Sequence, residues 1–329
     1  MVAGPLVDGF GRTHRDLRIS VTDRCDLRCT YCMPAEGLEW LDRAEILSFE
    51  EIERVARLCV ARLGVTSIRL TGGEPTVRAG IVDLVARLAG LGVDLALTTN
   101  GVRLDSLAAP LAAAGLQRIN VSLDTLRRDR FERTTRRDRL DAVLAGIDAA
   151  VHAGLDPVKV NCVVVRGVND DEVVDLAEFG RERGVTVRFI EYMPLDADGR
   201  WDRSSVVGQH EIVEAIHRVH PLEPVVRGHQ PASRFRFLDG MGEVGVIPSV
   251  TAPFCGDCDR IRLTADGELR ACLFATGGTD LRPVLRDAGS DDDQLEALVR
   301  RVVRDKWAGH GISTVDFVRP GRSMSQIGG

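Results

Sequence analysis

Apolar and polar positions alternate in six short segments of the first 195 residues, and helical patterns separate these segments. The alternation predicts strands near 16–21, 66–71, 94–99, 118–123, 158–165 and 185–191. Helical spacing of apolar residues predicts helices near 48–63, 79–91, 103–114, 138–154 and 170–184. Strands that alternate with helices form parallel sheets with right-handed crossovers. Six units are fewer than the eight of a closed barrel, so we expect an α/β fold with a partial, open TIM-like barrel.

One face of each predicted strand is polar. In the first strand, Leu17 and Ile19 alternate with Arg18 and Ser20. Successive side chains of a strand point to opposite faces of the sheet. The apolar face can therefore pack on the helices, while the polar face lines a wet interior suited to a charged ligand. A solvent-exposed antiparallel sheet is the alternative, and the intervening helices argue against it.

The pattern changes after residue 195. A helix near 208–218 precedes shorter strand-like pieces near 233–238 and 243–248. A further group of cysteines, an acidic stretch and a last helix follow, and the final residues show no periodicity. We therefore divide the chain into a barrel at 1–195 and a C-terminal extension at 196–329.

The composition is typical of a folded soluble protein, with 44% hydrophobic and 28% charged residues among 329. The net charge of −6 argues against nucleic-acid binding. No apolar stretch is long enough to span a membrane and the N-terminus lacks a signal-peptide core, so we expect a cytoplasmic protein without a membrane partner. Lys159 and Lys306 are the only lysines beside 41 arginines (43 − 2), so a lysine is unusual in this chain.

Three cysteines follow the first predicted strand in a CxxxCxxC pattern: Cys25, Cys29 and Cys32. They cannot all pair as disulfides, and clustered cysteines in a cytosolic chain suggest metal. Structural zinc requires four ligands, and no fourth is nearby. Three thiolates suit a [4Fe–4S] cube and leave one iron open, so we expect this cluster, with zinc as the alternative.

A second group contains Cys255 and Cys258 in CxxC spacing, with Cys272 further along. A CxxC pair alone is typical of zinc or redox sites. No fourth cysteine follows, and the nearest histidines, His229 and His310, are distant in sequence. We expect a second [4Fe–4S] cluster with an open iron. Zinc completed by a distant residue is the alternative.

The CxxxCxxC loop after the first strand of a partial barrel resembles the radical S-adenosylmethionine (SAM) superfamily. In that superfamily the open iron chelates SAM, and one electron from the cube cleaves SAM to a 5′-deoxyadenosyl radical. Tyr31 matches the position that contacts the adenine, with a rim-packing aromatic as the alternative. The segment 72–75, GGEP, resembles the site for the SAM amino group, and its glycines allow a ligand to approach the backbone. A simple tight turn is the alternative there.

With both cysteine groups, the chain resembles the family of GTP 3′,8-cyclases of molybdenum cofactor biosynthesis from end to end. Matching segments include RINVSLDT, RFIEYMP, CGDCDRIRLTADGELRACLF and the terminal IGG. The resemblance implies a lyase that removes hydrogen from ribose C3′ of GTP. The C3′ radical attacks C8 of guanine, and an electron and a proton complete 3′,8-cyclo-7,8-dihydro-GTP. It also implies that the second cluster binds guanine and that an external donor supplies electrons.

The resemblance assigns individual residues by position. SAM contacts fall on Tyr31, Gly73, Ser122 and Met193. GTP contacts fall on Arg18, Arg69, Thr98, Lys159, Arg260 and Arg262, with Arg188 as a further option. Arginine forks suit a triphosphate, while a solvated surface charge is the alternative for any single arginine.

A catalytic role is implied for Arg260, Arg262 and the terminal Gly328 and Gly329, because the double-glycine terminus enters the active site in that family. A frayed chain end is the alternative. Ser67 departs from the family pattern, since some members carry a lysine two residues before the position of Arg69.

Two other functions remain open. One is a radical SAM peptide maturase with an auxiliary cluster, although a peptide needs no group of cations and such proteins often carry more C-terminal cysteines. The other is a non-catalytic iron–sulfur or zinc redox sensor, which leaves GGEP and the polar strand face without a purpose. The sequence also leaves open a homodimer and the docking of a downstream cyclic pyranopterin monophosphate synthase.

Overall fold

The computed structural model describes residues 4–196, 199–228, 230–312, 314 and 317–328. Twelve strands in these ranges form one sheet. The strands are β1 (Asp16–Ser20), β2 (Ser67–Thr71), β3 (Asp94–Thr99), β4 (Arg118–Ser122), β5 (Val158–Val164), β6 (Thr186–Glu191), β7 (Leu222–Val225), β8 (Ser233–Phe237), β9 (Glu243–Ile247), β10 (Arg260–Leu263), β11 (Glu268–Arg270) and β12 (Thr279–Asp280). The helices are α1 (Phe49–Leu63), α2 (Ile81–Ala89), α3 (Leu104–Ala113), α4 (Arg128–Thr135), α5 (Leu140–His152), α6 (Val173–Arg183), α7 (Gln209–Val219), α8 (Arg282–Arg286), α9 (Asp292–Arg304) and α10 (Met324–Ile327).

Eight parallel strands form the centre of the sheet in the order β10-β1-β2-β3-β4-β5-β6-β9. Antiparallel strands continue the sheet outward, β11 and β12 on one side and β8 and β7 on the other. β12 and β7 are its two edges in the described ranges, so the barrel is open. The predicted parallel β/α core and C-terminal extension are confirmed. Strands from both sides of residue 195 share the sheet, and the domain division there stays a prediction.

Helix α1 shows why the apolar pattern predicts the core. It begins at a capping box, in which Ser48 Oγ accepts from Glu51 N at 3.1 Å and the Glu51 carboxylate accepts from Ser48 N at 2.6 Å. It ends at Gly64, whose φ of 74° favours glycine. Its stripe, which includes Ile52 and Val55, is fully buried with the apolar face of the sheet.

None of the helices in the described ranges is both long and apolar enough to cross a membrane.

The apolar pattern does not predict seven short elements of the described ranges: α4, β7, β10, β11, β12, α8 and α10. In α4 only Phe131 and Thr135 are buried, so the helix has no apolar stripe. β7 contains Pro224, which an edge strand tolerates because its free side needs no ladder hydrogen bond. β10 has only four residues, and Arg260 and Arg262 are two of them.

Candidate active site

The polar faces of the parallel strands surround a cavity that is partly open to solvent. Both cysteine groups line it, although they are far apart in the sequence. The predicted site residues in its lining are Cys25, Cys29, Tyr31, Cys32, Gly73, Ser122, Met193, Arg18, Arg69, Thr98, Arg188, Cys255, Cys258, Arg260, Arg262 and Cys272. Lys159 and Gly328 are described but are not among the lining residues, and Gly329 lies outside the described residues.

Helix α4 fixes the first cysteine loop through the backbone. Arg28 N donates to the Thr135 carbonyl at 3.0 Å. Arg136 follows α4 in a left-handed conformation, with a φ of 56°. Its guanidinium donates to the carbonyls of Arg28 and Met33 at 3.0 and 2.9 Å. A charged helix that the apolar pattern misses therefore positions the CxxxCxxC segment.

The GGEP segment packs against the same loop. A Cβ atom at Gly73 would lie 2.4 Å from the carbonyl oxygen of Asp23 and 2.5 Å from that of Arg24. The backbone amide of Gly73 donates to the Thr22 carbonyl at 2.8 Å. The GGEP pattern predicts that its glycines let a ligand approach the backbone. In the structure, the close approach at Gly73 is made by the cysteine loop itself.

Glu74 joins the ends of β2 and β3, a role that the sequence analysis does not assign. Its carboxylate is 1% exposed and accepts from Thr99 Oγ1 at 2.7 Å and from Asn100 N at 2.6 Å. Burial raises the pKa of Glu74, and these hydrogen bonds, which favour the carboxylate, only partly oppose that rise. Asn100 in turn lies beside the first cysteine, with its Nδ2 3.9 Å from Cys25 Sγ. A carboxylate between two glycines and a proline is the signal that could have revealed this role.

The thiols of the first group are free and partly buried. Burial raises the pKa of Cys25 to about 12 and that of Cys32 to about 11. A thiolate at these positions therefore needs a bound cation, as in metal ligation. In the ranges that the structure describes, no three His, Cys, Asp or Glu side chains converge to hold one metal ion. A [4Fe–4S] cube spreads its cysteine ligands over separate irons, so the chemistry of these donors fits a cluster.

Tyr31 is held at the cavity wall by Asp124, a residue that the sequence analysis gives no role. The phenol donates to Asp124 Oδ2 at 2.6 Å, and Asp124 Oδ1 accepts from Val163 N at 2.8 Å. Burial raises the pKa of Asp124 to about 6. The position of Asp124 two residues after Ser122, the last residue of β4, is the signal that could have found it.

Three arginines form a row across adjacent parallel strands. In register, Arg262 of β10 lies beside Arg18 of β1, and Arg18 lies beside Arg69 of β2. All three line the cavity, and Arg18 and Arg262 are only 9% and 4% exposed. Burial and the neighbouring Arg69 lower the pKa of Arg18 well below its ordinary value. The row therefore concentrates positive charge inside the barrel.

This charge is under-compensated in the described part of the chain. The Asp16 carboxylate lies 3.8 Å from Arg18 Nε, beyond hydrogen-bond distance. The buried Nε atoms of Arg18 and Arg69 have no hydrogen-bond partner among the described residues. Buried cations with unused donors are costly unless an anion pairs with them. The arginine row, defined as Arg18, Arg69 and Arg262, is therefore suited to an anionic ligand.

Ile327 and Gly328 reach the same row. Ser20 Oγ donates to the Ile327 carbonyl at 3.1 Å, and the Arg262 guanidinium donates to the Gly328 carbonyl. Gly328 has a φ of 86°, and a Cβ atom there would lie 2.0 Å from Ser20 Oγ. Gly328 is therefore seated at the end of β1, in contact with a cavity residue.

Lys159 and Arg188 add to the positive field from the far side of the barrel. Lys159 lies mid-strand on β5, between Asn120 and Thr186 in register. Burial, followed by the charge of Arg188, lowers the pKa of Lys159 to about 8. Arg188 Nη2 donates to Asn120 Oδ1 at 2.6 Å, which orients its guanidinium in the cavity wall.

Comparisons with known proteins agree with this geometry. Residues 19–180 match the family model Radical SAM superfamily, and residues 185–312 match Molybdenum Cofactor Synthesis C. GTP 3′,8-cyclase of Corynebacterium glutamicum (strain ATCC 13032) is 50% identical over 98% of this chain and 89% of the relative. GTP 3′,8-cyclase 2 of Mycobacterium tuberculosis (strain H37Rv) is 50% identical over 99% of this chain and 92% of the relative. GTP 3′,8-cyclase of Streptomyces coelicolor is 49% identical over 98% of this chain and 96% of the relative.

Two solved structures share the fold. Streptococcus suis SuiB has a TM-score of 0.62 at 14% identity and aligns over 95% of this chain and 69% of its own. The anSMEcpe structure with bound AdoMet has a TM-score of 0.59 at 14% identity and aligns over 93% of this chain and 89% of its own. At this identity the likeness concerns the architecture alone.

Proposed function

The chain belongs to the GTP 3′,8-cyclases, radical SAM enzymes of molybdenum cofactor biosynthesis, and we propose that its cavity holds SAM at the first cysteine group and GTP at the arginine row. The product is 3′,8-cyclo-7,8-dihydro-GTP. The observation that carries the placement of GTP is the row of buried arginines, whose Nε donors at Arg18 and Arg69 lack partners in the described ranges.

Cys25, Cys29 and Cys32 hold the radical-generating [4Fe–4S] cluster in this proposal. When bound, the cluster and SAM supply a radical that takes hydrogen from C3′ of GTP. Tyr31, Gly73, Ser122 and Met193 line the same cavity, and in this proposal they contact SAM. Asp124 orients Tyr31, and the close packing at Gly73 holds the cysteine loop at a fixed distance from the strand ends.

Cys255, Cys258 and Cys272 hold a second cluster next to the guanine. This assignment is supported by the position of all three cysteines in the lining of the cavity, together with the first cysteine group and with Arg260 and Arg262. Two cysteine groups on one cavity allow one to serve radical generation and the other to hold the base. An external electron donor completes the reaction.

The arginine row binds the triphosphate. Arginine forks make paired, charge-assisted hydrogen bonds to phosphate oxygens, and these are stronger inside a cavity than in water. A bound triphosphate would also relieve the repulsion among Arg18, Arg69 and Arg262. The alternative of a peptide substrate offers no triphosphate to these cations and leaves the Nε donors of Arg18 and Arg69 unused.

GTP binding to the anaerobically reconstituted protein tests this placement. Arg18→Met and Arg69→Met each remove a charged hydrogen-bond donor worth about 1.5–3 kcal/mol, so GTP affinity is expected to fall roughly 10- to 100-fold. Affinity for guanosine, which has no phosphate, is expected to stay within about twofold in the same variants. Arg57→Met is the matched control, because Arg57 is 61% exposed on α1. Unchanged GTP affinity in both row variants would contradict the proposal.

A further inference from the structure

Lys306 is one of two lysines in the chain, yet its side chain lies almost completely inside the protein. It follows α9 and is 5% exposed. Its Nζ atom lies 2.9 Å from the Arg260 carbonyl, 3.4 Å from Cys258 Sγ and 3.4 Å from the Cys258 carbonyl. The ammonium therefore sits directly behind the second cysteine group, on a residue that the proposed reaction does not use.

A buried histidine faces the same ammonium. His14 is fully buried, and its Nδ1 lies 3.4 Å from Lys306 Nζ. Its other nitrogen, Nε2, lies 3.0 Å from Asp8 Oδ2. Asp8 also accepts hydrogen bonds from Arg12 Nε at 2.6 Å and Phe10 N at 2.9 Å, as an ionised carboxylate does. Asp8 thus places the imidazole proton on Nε2, and Nδ1 is left to accept from Lys306.

The three donors of Lys306 have acceptors in its surroundings. An ammonium has three N–H groups and no acceptor. The Arg260 carbonyl takes one and His14 Nδ1 takes another, which leaves the third for Cys258, whose Sγ and carbonyl oxygen each lie 3.4 Å from Nζ. Within the described residues no carboxylate forms an ion pair with Lys306. Because a buried cation without a counter-charge is costly, the thiolate form of Cys258 is the anion that this arrangement suits.

The N-terminal segment holds the other cysteine of the CxxC pair. Arg12 Nη1 donates to the Cys255 carbonyl at 2.6 Å and to the Ala308 carbonyl at 2.8 Å. Arg12 is itself fixed by Asp8, the residue that orients His14. One buried network of Asp8, Arg12, His14 and Lys306 therefore reaches both Cys255 and Cys258 from outside the cavity.

We propose that Lys306 is a positioning residue for the second cysteine group, and that its ammonium donates a hydrogen bond to the Cys258 thiolate and raises the reduction potential of the cluster bound there. Hydrogen bonds to cluster sulfur and nearby positive charge stabilise the reduced, more negative state. The inference rests on the proposed function, because it requires a cluster at Cys255, Cys258 and Cys272.

The test compares wild type with Lys306→Met, which keeps the length and removes the charge and donors. Arg304→Met is the matched control, because Arg304 is a long cation two residues away that is 70% exposed. Each protein is reconstituted anaerobically, its iron is counted, and each cluster is titrated by electron paramagnetic resonance. The first cluster, which responds to SAM, is the internal reference.

Wild type and Arg304→Met are expected to hold about eight irons per chain, four for each cluster. In Lys306→Met, we expect the second cluster to titrate at a more negative potential or to be lost, with iron falling towards about four, while the first cluster keeps its potential. Retention of both clusters with unchanged potentials would overturn the inference. About four irons in wild type would instead overturn the assignment of the second cluster.

If Lys306→Met does not fold, Lys306→Gln decides. The amide is neutral and keeps a donor for the Arg260 carbonyl, so this variant is expected to retain the second cluster at a more negative potential. A wild-type potential in folded Lys306→Gln would also overturn the inference.

Discussion

Gly73→Ala tests whether the GGEP segment acts by packing against the cysteine loop. The added Cβ atom would meet two backbone oxygens, of Asp23 and Arg24, at 2.4 and 2.5 Å. Ordinary van der Waals contact begins at 3.4 Å, so the overlap is about 1 Å. Neither oxygen belongs to a side chain that can rotate away. The loop that leads to Cys25 must therefore move by a comparable distance.

A shift of this size has two measurable consequences. Overpacking at a tight contact costs about 1–3 kcal/mol of unfolding free energy. A misplacement of about 1 Å in a reacting geometry costs roughly 10²-fold in rate. We therefore expect the rate of reductive SAM cleavage by reconstituted Gly73→Ala to fall about 100-fold. The rate is measured as 5′-deoxyadenosine formed at saturating SAM, at a temperature where the variant stays folded. At that temperature the lost stability does not lower the rate.

Gly289→Ala is the control, because its added Cβ atom would lie 3.7 Å from the Asp287 carboxylate, an ordinary contact. It should cleave SAM at the wild-type rate. A Gly73→Ala protein that also cleaves SAM at the wild-type rate would refute the packing argument.

Three further predictions concern single residues. Cys25→Ser should abolish SAM cleavage in reconstituted protein, and surviving formation of 5′-deoxyadenosine would rule out Cys25 as a cluster ligand. Arg260→Ala should spare uncoupled SAM cleavage but lower the yield of cyclised nucleotide at least about tenfold, since a charged hydrogen bond is worth about 1.5–3 kcal/mol; unchanged turnover would remove Arg260 from the GTP site. Burial, followed by the charge of Lys306, lowers the pKa of His14 from 6.5 to about 4. The folded protein therefore keeps His14 neutral while the unfolded chain gains a proton below pH 6.5, so this stability is present above pH 6.5 and is lost as the pH falls towards 4. Urea denaturation of the apo-protein should show about 2 kcal/mol less stability from this group at pH 5 than at pH 7, and His14→Leu should flatten that difference; an equally steep loss in the variant would contradict the linkage.

The sequence predicts the parallel core because its signals are local. The capping box at Ser48 involves residues only three positions apart. The period-two pattern of β1 is contained within five residues. The same local alternation places Arg18 and Arg69 on the polar face. Helix α4 escapes prediction because it has no apolar stripe: only Phe131 and Thr135 are buried.

What the sequence does not predict depends on register between distant segments. That Arg262 lies beside Arg18 follows from the parallel pairing of β10 with β1, which no local pattern encodes. The approach of Lys306 to Cys258 and His14 joins three separate parts of the chain for the same reason. In the sequence, Lys306 is unusual only because lysine is rare, and no role is predicted for it.

The central claim is that one cavity brings a SAM-cleaving cluster and GTP together. The most direct measurement quantifies 5′-deoxyadenosine formed by the anaerobically reconstituted protein with dithionite and SAM, in the presence and absence of GTP. The account predicts strong stimulation by GTP together with a matching amount of a new cyclised nucleotide. SAM cleavage that is indifferent to GTP, with no new nucleotide, would contradict it.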